Sequence, residues 1–125
     1  VRQYRPPVDR LTIEFPAGLV NHGESPEETA VRELKEETGY SGRVLRVLPP
    51  AFSSPGLTSE STRLVIMEAD EAKQGDLQTQ FDESEDIETL LVEKHALPAF
   101  LMAADKRGEA LDGKLLAYAE ALWKA

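Results

Sequence analysis

Three glutamates, Glu33, Glu36 and Glu37, have the spacing that places their carboxylates on one face of a helix. An α-helix turns about 100° per residue, so Glu37 lies about 40° to one side of Glu33 and Glu36 about 60° to the other. Like charges at this spacing repel each other by roughly a few tenths of a kcal/mol per pair, and a bound cation would offset that repulsion. Mg²⁺ is commonly held by a few carboxylates together with substrate phosphates and water. The spacing therefore favours a metal-dependent phosphate-transfer or hydrolysis site over a solvated acidic face.

The helix that carries these glutamates has recognisable start and stop signals. Ser25 suits the N-cap position, Pro26 suits the first helical position, and Glu28 can complete a capping box with Ser25. Gly39 is the residue expected just past a helix end, so the helix is predicted to run from Pro26 to about Thr38. An adjoining apolar face able to pack on a sheet is formed by Ala30, Val31 and Leu34.

Pro, Gly, Ser and Asp residues divide the rest of the chain into short segments. Segments rich in Val, Ile and Leu, or alternating between apolar and polar residues, are typical of strands. Five strands are predicted. The first is a short segment that ends at Pro6, and the others are residues 11–15, 43–48, 62–69 and 87–92.

Two further helices are predicted near the end of the chain, at residues 97–106 and 113–124. The second has an apolar stripe that we assign to the core, formed by Leu115, Leu116, Ala119, Leu122 and Trp123. The order of strands and helices predicts a single α/β (α+β) domain over residues 1–125.

Composition excludes several classes of function. The chain has 125 residues, with 14 Lys and Arg against 23 Asp and Glu, so its net charge is −9. Such a charge repels nucleic acids, and we expect no nucleic-acid partner. The sequence has no cysteine and no apolar run of the roughly 18 residues that a membrane span needs. We therefore expect a protein of the cytoplasm, with the nucleus as a second location, and no membrane contact.

The glutamates belong to a longer pattern that matches the Nudix signature, G-x5-E-x7-R-E-U-x-E-E-x-G-U, in which U is a bulky apolar residue. Tyr40 occupies the last apolar position and is the one departure. We call residues 18–40 the Nudix box. The chain thereby resembles the Nudix hydrolases at every fixed position of the signature, namely Gly18, Glu24, Arg32, Glu33, Glu36, Glu37 and Gly39.

Three further segments, residues 3–7, 13–19 and 54–57, resemble the ADP-ribose and ADP-sugar pyrophosphatases, especially the dimeric eukaryotic kind. Pro55 lies fifteen residues beyond Tyr40, as a recurrent proline of that group does. The resemblance implies a mixed sheet packed between helices, a nucleotide-sugar substrate and a homodimer. That group also carries an N-terminal arm with early strands and aromatic adenine contacts. None precedes Val1, so we expect a truncated copy of a longer subunit.

The resemblance also implies a mechanism. Mg²⁺, with Mn²⁺ as a substitute, would be held by Glu33, Glu36, Glu37 and the backbone carbonyl of Ala17. Water would attack one phosphorus and release AMP and a sugar phosphate. Arg32 would orient the glutamates, whereas its alternative is a surface ion pair with Glu28 or Glu36. We count Arg32 and Glu36 among the catalytic residues.

Other roles follow from the resemblance alone. Glu85 is the closest match to a glutamate that serves as base or extra metal ligand, although it stands in a stretch whose acidic residues could all be solvated. Glu24 would ligate metal or brace the loop, and we favour bracing. Substrate contacts are expected from Arg5, Glu14, Leu19 and Ser54, of which Ser54 stands where related enzymes often have an acidic residue.

Two alternatives remain open at this point. The sequence shows few residues that would recognise the base of the nucleotide. The substrate could therefore instead be an oxidised guanine diphosphate or a UDP-sugar. The expected truncation and Ser54 also leave open a non-catalytic module that binds nucleotide sugars.

Overall fold

The computed structural model describes residues 1–83 and 86–123. Residue 123 is described by its backbone only. Within these ranges the chain forms eight β-strands and three α-helices. It divides into two compact units, the first made of Val1–Pro16 with Phe81–Ala125 and the second of Ala17–Gln80. Each unit is described by itself.

The first unit contains a four-stranded mixed sheet. Its strands are β1 (Arg2–Arg5), β2 (Arg10–Ile13), β7 (Ile87–Glu88) and β8 (Ala110–Leu111), arranged in the order β7-β1-β2-β8. Strand β1 is antiparallel to β2 and to β7, whereas β2 is parallel to β8. The turn between β1 and β2 is a short 3₁₀ helix that begins with the two consecutive prolines Pro6 and Pro7.

Helices α2 (Leu97–Lys106) and α3 (Gly113–Trp123) supply most of the core of this unit. The core consists of five buried apolar residues, namely Ile13, Leu101, Ala104, Leu115 and Ala119. Leu115 and Ala119 confirm the predicted apolar stripe, and Leu116 packs against the same core. The side chain of Trp123 lies outside the described part of the chain.

The second unit is built around α1 (Pro26–Thr38), whose bounds match the prediction. An antiparallel ribbon of β3 (Arg43–Val47) and β6 (Val65–Glu68) packs against this helix. The packing is close, because a Cβ atom at Gly42 would lie 3.0 Å from Leu34 Cδ2. A hairpin of β4 (Ala51–Phe52) and β5 (Ser61–Thr62) completes the unit.

The prediction of an apolar face on α1 is wrong for one of its three residues. Val31 is 40% exposed, although it was expected to pack on a sheet. The ribbon against α1 is two strands wide, so the arc of the helix that it covers includes Leu34 and leaves Val31 towards solvent.

The predicted strand boundaries need correction in three places. The predicted strand 62–69 is broken, because residues 61–62 pair with β4 and residues 65–68 pair with β3. The break follows from the partner strands. Pro49 and Pro50 separate β3 from β4, because they lack the N–H groups that a continuous ladder needs. The strand expected at 87–92 is limited to Ile87–Glu88, which pair with the first two residues of β1, and the strand expected at 11–15 is Arg10–Ile13.

The mixed sheet and the three helices confirm the predicted α/β class. In the ranges that the structure describes, no helix has both the length and the apolarity needed to cross a bilayer. The single-domain organisation stays a prediction.

Candidate active site

The Nudix box is carried by a capped helix and the loop before it. The N–H of Ser25 donates to Glu28 Oε2 at 2.7 Å, and the N–H of Glu28 donates to Ser25 Oγ at 3.1 Å, which confirms the predicted capping box. At the other end Gly39 adopts a left-handed conformation with φ of 78°, and its N–H donates to the carbonyl of Lys35. These signals fix where α1 begins and ends.

A second constraint acts on the end of the helix. A Cβ atom at Gly39 would lie 2.9 Å from the backbone nitrogen of Gln78, so glycine is needed for close approach as well as for its φ angle. The N–H of Gln80 donates to the carbonyl of Glu36 at 2.8 Å. Residues 77–80 therefore lie against the acidic end of α1.

Arg32 joins the acidic side chains of the box. Its Nη1 donates to Glu33 Oε1 at 2.7 Å and to Glu36 Oε2 at 3.1 Å. Its Nε and Nη2 form a bidentate pair with Glu24 at 2.8 and 2.9 Å, and Nη2 also donates to the carbonyl of Leu19 at 3.1 Å. A guanidinium has five N–H donors, and each of them has an acceptor here. These are the contacts that an orienting residue would make. Of the two partners of the alternative ion pair, Glu36 does pair with Arg32, whereas Glu28 is occupied in the capping box.

Glu24 ties this arginine to the loop. Its Oε2 accepts from the N–H of Asn21 at 3.1 Å and from the hydroxyl of Thr29 at 2.7 Å, in addition to Arg32. The Glu24 side chain is 15% exposed. These contacts are the ones expected of a brace between the loop and the helix.

Two carboxylates of the acidic face, those of Glu33 and Glu37, also lie against the backbone of the loop. The Glu33 carboxylate lies against Gly18 so closely that a Cβ atom at that position would be 1.8 Å from Glu33 Oε1. Glu37 is buried, with 3% of its surface exposed, and its Oε2 accepts from the N–H of Ala17 at 3.1 Å. The loop residues Ala17 and Gly18 therefore hold the positions of Glu37 and Glu33.

The chemistry of this donor set fits a hard divalent cation. Glu33, Glu36 and Glu37 offer carboxylate oxygens from one helical face, and Ala17 beside Glu37 has a backbone carbonyl. Arg32 pairs with two of these carboxylates in the present arrangement. In residues 1–83 and 86–123, no group of three or more His, Asp or Glu side chains is placed so that it could hold a metal ion. The assignment of these four residues as ligands stays a prediction.

The network also shifts the acidity of its members. The hydrogen bonds from Arg32, then Thr29 and then the Asn21 N–H lower the pKa of Glu24 from 4.5 to about 2. The carboxylates of Glu24 and Glu33 in turn raise the pKa of Arg32. Both members of this ion pair are therefore charged at neutral pH.

This shift predicts a pH-dependent stability. Because the folded-state pKa of Glu24 lies below 4.5, its contribution to the free energy of unfolding is complete above about pH 5 and is lost as the pH falls towards 2. We expect the stability difference between the wild type and Glu24→Gln, measured by urea unfolding at several pH values, to shrink over that range. Glu27→Gln, at an exposed glutamate of the same helix, is the control for the loss of one carboxylate from α1. A pH-independent effect of Glu24→Gln would contradict the prediction.

The predicted substrate residues belong to both units. In the first unit, Arg5 forms a bidentate pair with Glu14 at 2.9 and 3.2 Å, and the hydroxyl of Thr12 donates to Glu14 at 2.5 Å. Burial raises the pKa of Glu14, but the bonds from Arg5 and Thr12 outweigh it and the net pKa is lowered. In the second unit, the side chain of Leu19 is 86% exposed.

Ser54 lies in the exposed loop between β4 and β5, where its carbonyl accepts from the N–H groups of Leu57 and Thr58. Glu85 lies outside the described residues. The roles of these two residues stay predictions.

Sequence reasoning missed Thr29 and Asn21. A threonine in the first turn of a helix is ordinarily expected to bond the backbone of the preceding turn, and an asparagine in a loop is expected to form a turn. In addition to such bonds, the hydroxyl of Thr29 and the backbone N–H of Asn21 both donate to the carboxylate of Glu24. The sequence signal was that both lie within five residues of a fixed glutamate of the box.

Comparisons with known proteins agree with the geometry. A family model described as the NUDIX domain matches residues 1–113. The chain is 39% identical over 126 residues to the ADP-ribose pyrophosphatase of Saccharomyces cerevisiae, a match that covers 99% of this chain and 54% of that protein. It is 38% identical over 92 residues to the ADP-ribose pyrophosphatase of Bacillus subtilis, covering 74% of this chain and 49% of that protein.

A shorter match, 48% identical over 67 residues, is to the ADP-sugar pyrophosphatase of Mus musculus and covers 54% of this chain and 31% of that protein. The chain spans about half the length of the curated relatives that it matches over nearly all of its residues. The family match includes the whole box and both sheet-forming units up to the start of α3. The chain therefore belongs to the Nudix family.

Proposed function

We propose that the protein hydrolyses the diphosphate linkage of ADP-ribose and related ADP-sugars to AMP and a sugar phosphate, with Mg²⁺ as cofactor. The observation that carries the proposal is the set of bonds from Arg32 to Glu24, Glu33 and Glu36, which holds three carboxylates of the box together. The names of relatives in yeast, Bacillus and mouse support the choice of substrate.

Glu33, Glu36, Glu37 and the carbonyl of Ala17 would hold the cation. When bound, it would neutralise the diphosphate, lower the pKa of a bound water and stabilise charge on the phosphoryl oxygens. Mg²⁺ suits a site with few carboxylates and a phosphate substrate, and Mn²⁺ would substitute for it. A cation between an acidic protein and an anionic substrate also removes their mutual repulsion.

Other side chains of the box hold the proposed metal ligands in place. Arg32 holds Glu33 and Glu36, and Glu24 connects Arg32 to the loop that approaches Glu37 through Ala17. Glu85 would act as base or as an extra ligand. This pre-organisation reduces the reorganisation needed during the reaction.

Substrate contacts complete the proposal. Arg5 would contact the phosphates, since a guanidinium suits phosphate oxygens, and Glu14 accepts from its Nε and Nη2 at 2.9 and 3.2 Å. Leu19 would lie near the nucleotide sugar, and Ser54 would replace an acidic contact to the terminal ribose. A homodimer in the cytoplasm is the assembly and location that we propose for the intact protein.

The direct experiment uses the intact protein with a panel of nucleotide sugars and Mg²⁺ in oxygen-18 water, followed by mass spectrometry of the products. We expect AMP and ribose phosphate from ADP-ribose, with the heavy oxygen on one product. A Glu33→Gln variant should lose most of this turnover. Preferred cleavage of a UDP-sugar or an oxidised guanine diphosphate would replace the ADP-sugar proposal. Tight binding of ADP-ribose with no turnover would replace it with a non-catalytic module.

Gly18 offers a test of how Glu33 is positioned. Alanine at this position would displace the Glu33 carboxylate, because the new Cβ would lie 2.0 Å from Glu33 Cδ. A flexible side chain can move at small cost, so the free energy of unfolding should change by less than about 1 kcal/mol. A displaced catalytic group costs roughly 100-fold, and we expect that loss in kcat/KM.

The control is Gly75→Ala, since a Cβ atom at Gly75 would have no neighbour within 4 Å. Denaturant unfolding and ADP-ribose kinetics are measured on both variants. Equal activity of Gly18→Ala and Gly75→Ala would show that Gly18 does not hold the position of Glu33.

A further inference from the structure

The side chain of Thr29 is a buried polar group in the first turn of α1. It is 5% exposed, and its hydroxyl lies 2.7 Å from Glu24 Oε2 and 3.0 Å from the carbonyl of Ser25. A hydroxyl has one proton to donate, so these two acceptors compete for it.

The competition favours Glu24. The carbonyl of Ser25 already accepts from the backbone N–H of Thr29 at 3.0 Å, as the first intrahelical bond. A carboxylate is a charged acceptor, and charge-assisted bonds are shorter and stronger than neutral ones. The shorter of the two contacts is the one to Glu24, so the proton of the hydroxyl is directed at that carboxylate.

Glu24 passes this constraint to the acidic face. Its bidentate pair with Arg32 fixes the guanidinium, whose Nη1 contacts both Glu33 and Glu36. In this continuous set of hydrogen bonds, one residue, Glu24, stands between Thr29 and Arg32, and two residues, Glu24 and Arg32, stand between Thr29 and Glu33.

We propose that Thr29 is a positioning residue of the site, whose hydroxyl holds Glu24 and, through Arg32, the carboxylates of Glu33 and Glu36. Its part in turnover rests on the proposed function. Thr29 would not touch the substrate, and its effect would be on the placement of the carboxylates of Glu33 and Glu36.

The same helix provides a matched control. Thr38 is also buried, but its hydroxyl donates to the carbonyl of Leu34 at 2.5 Å and accepts from the N–H of Tyr40 at 3.1 Å. Valine at either position removes a buried hydroxyl and keeps the branched shape. A difference between the two variants therefore reports on the contact with Glu24 rather than on the loss of a hydroxyl from the helix.

The experiment compares Thr29→Val, Thr29→Ser and Thr38→Val in the intact protein. Partners that orient metal ligands cost about 10 to 100-fold in activity or metal affinity when removed, and we expect a roughly tenfold lower kcat for Thr29→Val. Thr29→Ser keeps the donor and should stay within about threefold of the wild type, and Thr38→Val within about twofold.

A second readout does not depend on turnover. The carboxyl of Glu24 is titrated by carbon-13 NMR, and its charged neighbour is Arg32. Loss of the Thr29 donor should raise the pKa of Glu24, whereas Thr29→Ser and Thr38→Val should leave it at the wild-type value. Thr29→Val with an unchanged Glu24 pKa, or with a kcat equal to that of Thr38→Val, would overturn the proposal.

Failure of the proposed function is recognised separately. If the wild type does not hydrolyse any nucleotide sugar, the comparison is made on the dissociation constant for Mn²⁺ by calorimetry. Weakening by about tenfold in Thr29→Val alone supports the positioning role, and equal constants in Thr29→Val and Thr38→Val overturn it.

Discussion

Replacing Glu37 by glutamine should lower kcat for Mg²⁺-dependent hydrolysis of ADP-ribose by on the order of 1000-fold, or about 4 kcal/mol of transition-state stabilisation. The change removes one negative charge from the proposed ligand set and leaves the shape of the side chain. The amide oxygen of glutamine can still accept from the N–H of Ala17, which now bonds Glu37 Oε2 at 3.1 Å. We therefore expect the free energy of unfolding to change by less than about 1 kcal/mol.

The measurement pairs steady-state kinetics over a range of Mg²⁺ concentrations with urea unfolding. Glu27→Gln is the matched control, because it removes the same charge from an exposed position in the first turn of the same helix. A loss of activity of similar size in Glu27→Gln would mean that the charge of the helix as a whole matters, and not the buried carboxylate of Glu37.

The second large effect is expected at Arg32. Arg32→Lys keeps the positive charge, but a single ammonium group cannot reproduce the five directed N–H bonds that the guanidinium makes to three carboxylates and the carbonyl of Leu19. We expect kcat to fall roughly 100-fold, as for the loss of a group that orients metal ligands. The free energy of unfolding should fall by about 1 to 3 kcal/mol, because polar groups with little exposure lose their partners.

Arg46→Lys is the control for this substitution, since Arg46 is an exposed arginine of β3. It should change neither quantity by a measurable amount. Wild-type kcat in Arg32→Lys would show that charge alone is sufficient and that the bidentate geometry has no role in the site.

The sequence was sufficient to predict α1 because all the necessary signals are local. Ser25, Glu28 and Gly39 set the ends of the helix, and the structure has the same bounds as the prediction. The 100° rotation per residue then fixes which glutamates share a face, whatever the rest of the fold does. The glutamate spacing of the Nudix box could be interpreted for the same reason.

The contacts of these glutamates could not be predicted in the same way. The burial of Glu37 and the approach of Glu33 to Gly18 depend on where the loop before the helix runs, and no local pattern gives that path. The break in the predicted strand 62–69 likewise depends on a change of pairing partner between β4 and β3. Tertiary pairing decides strand boundaries, which are the least reliable part of any reading of periodicity.

The most direct measurement is an anomalous difference map from crystals of the intact protein that hold Mn²⁺ and a non-hydrolysable analogue of ADP-ribose. We predict manganese bound by the carboxylates of Glu33, Glu36 and Glu37, with the diphosphate of the analogue against the metal. An occupied analogue site with no manganese at these three carboxylates would contradict this prediction.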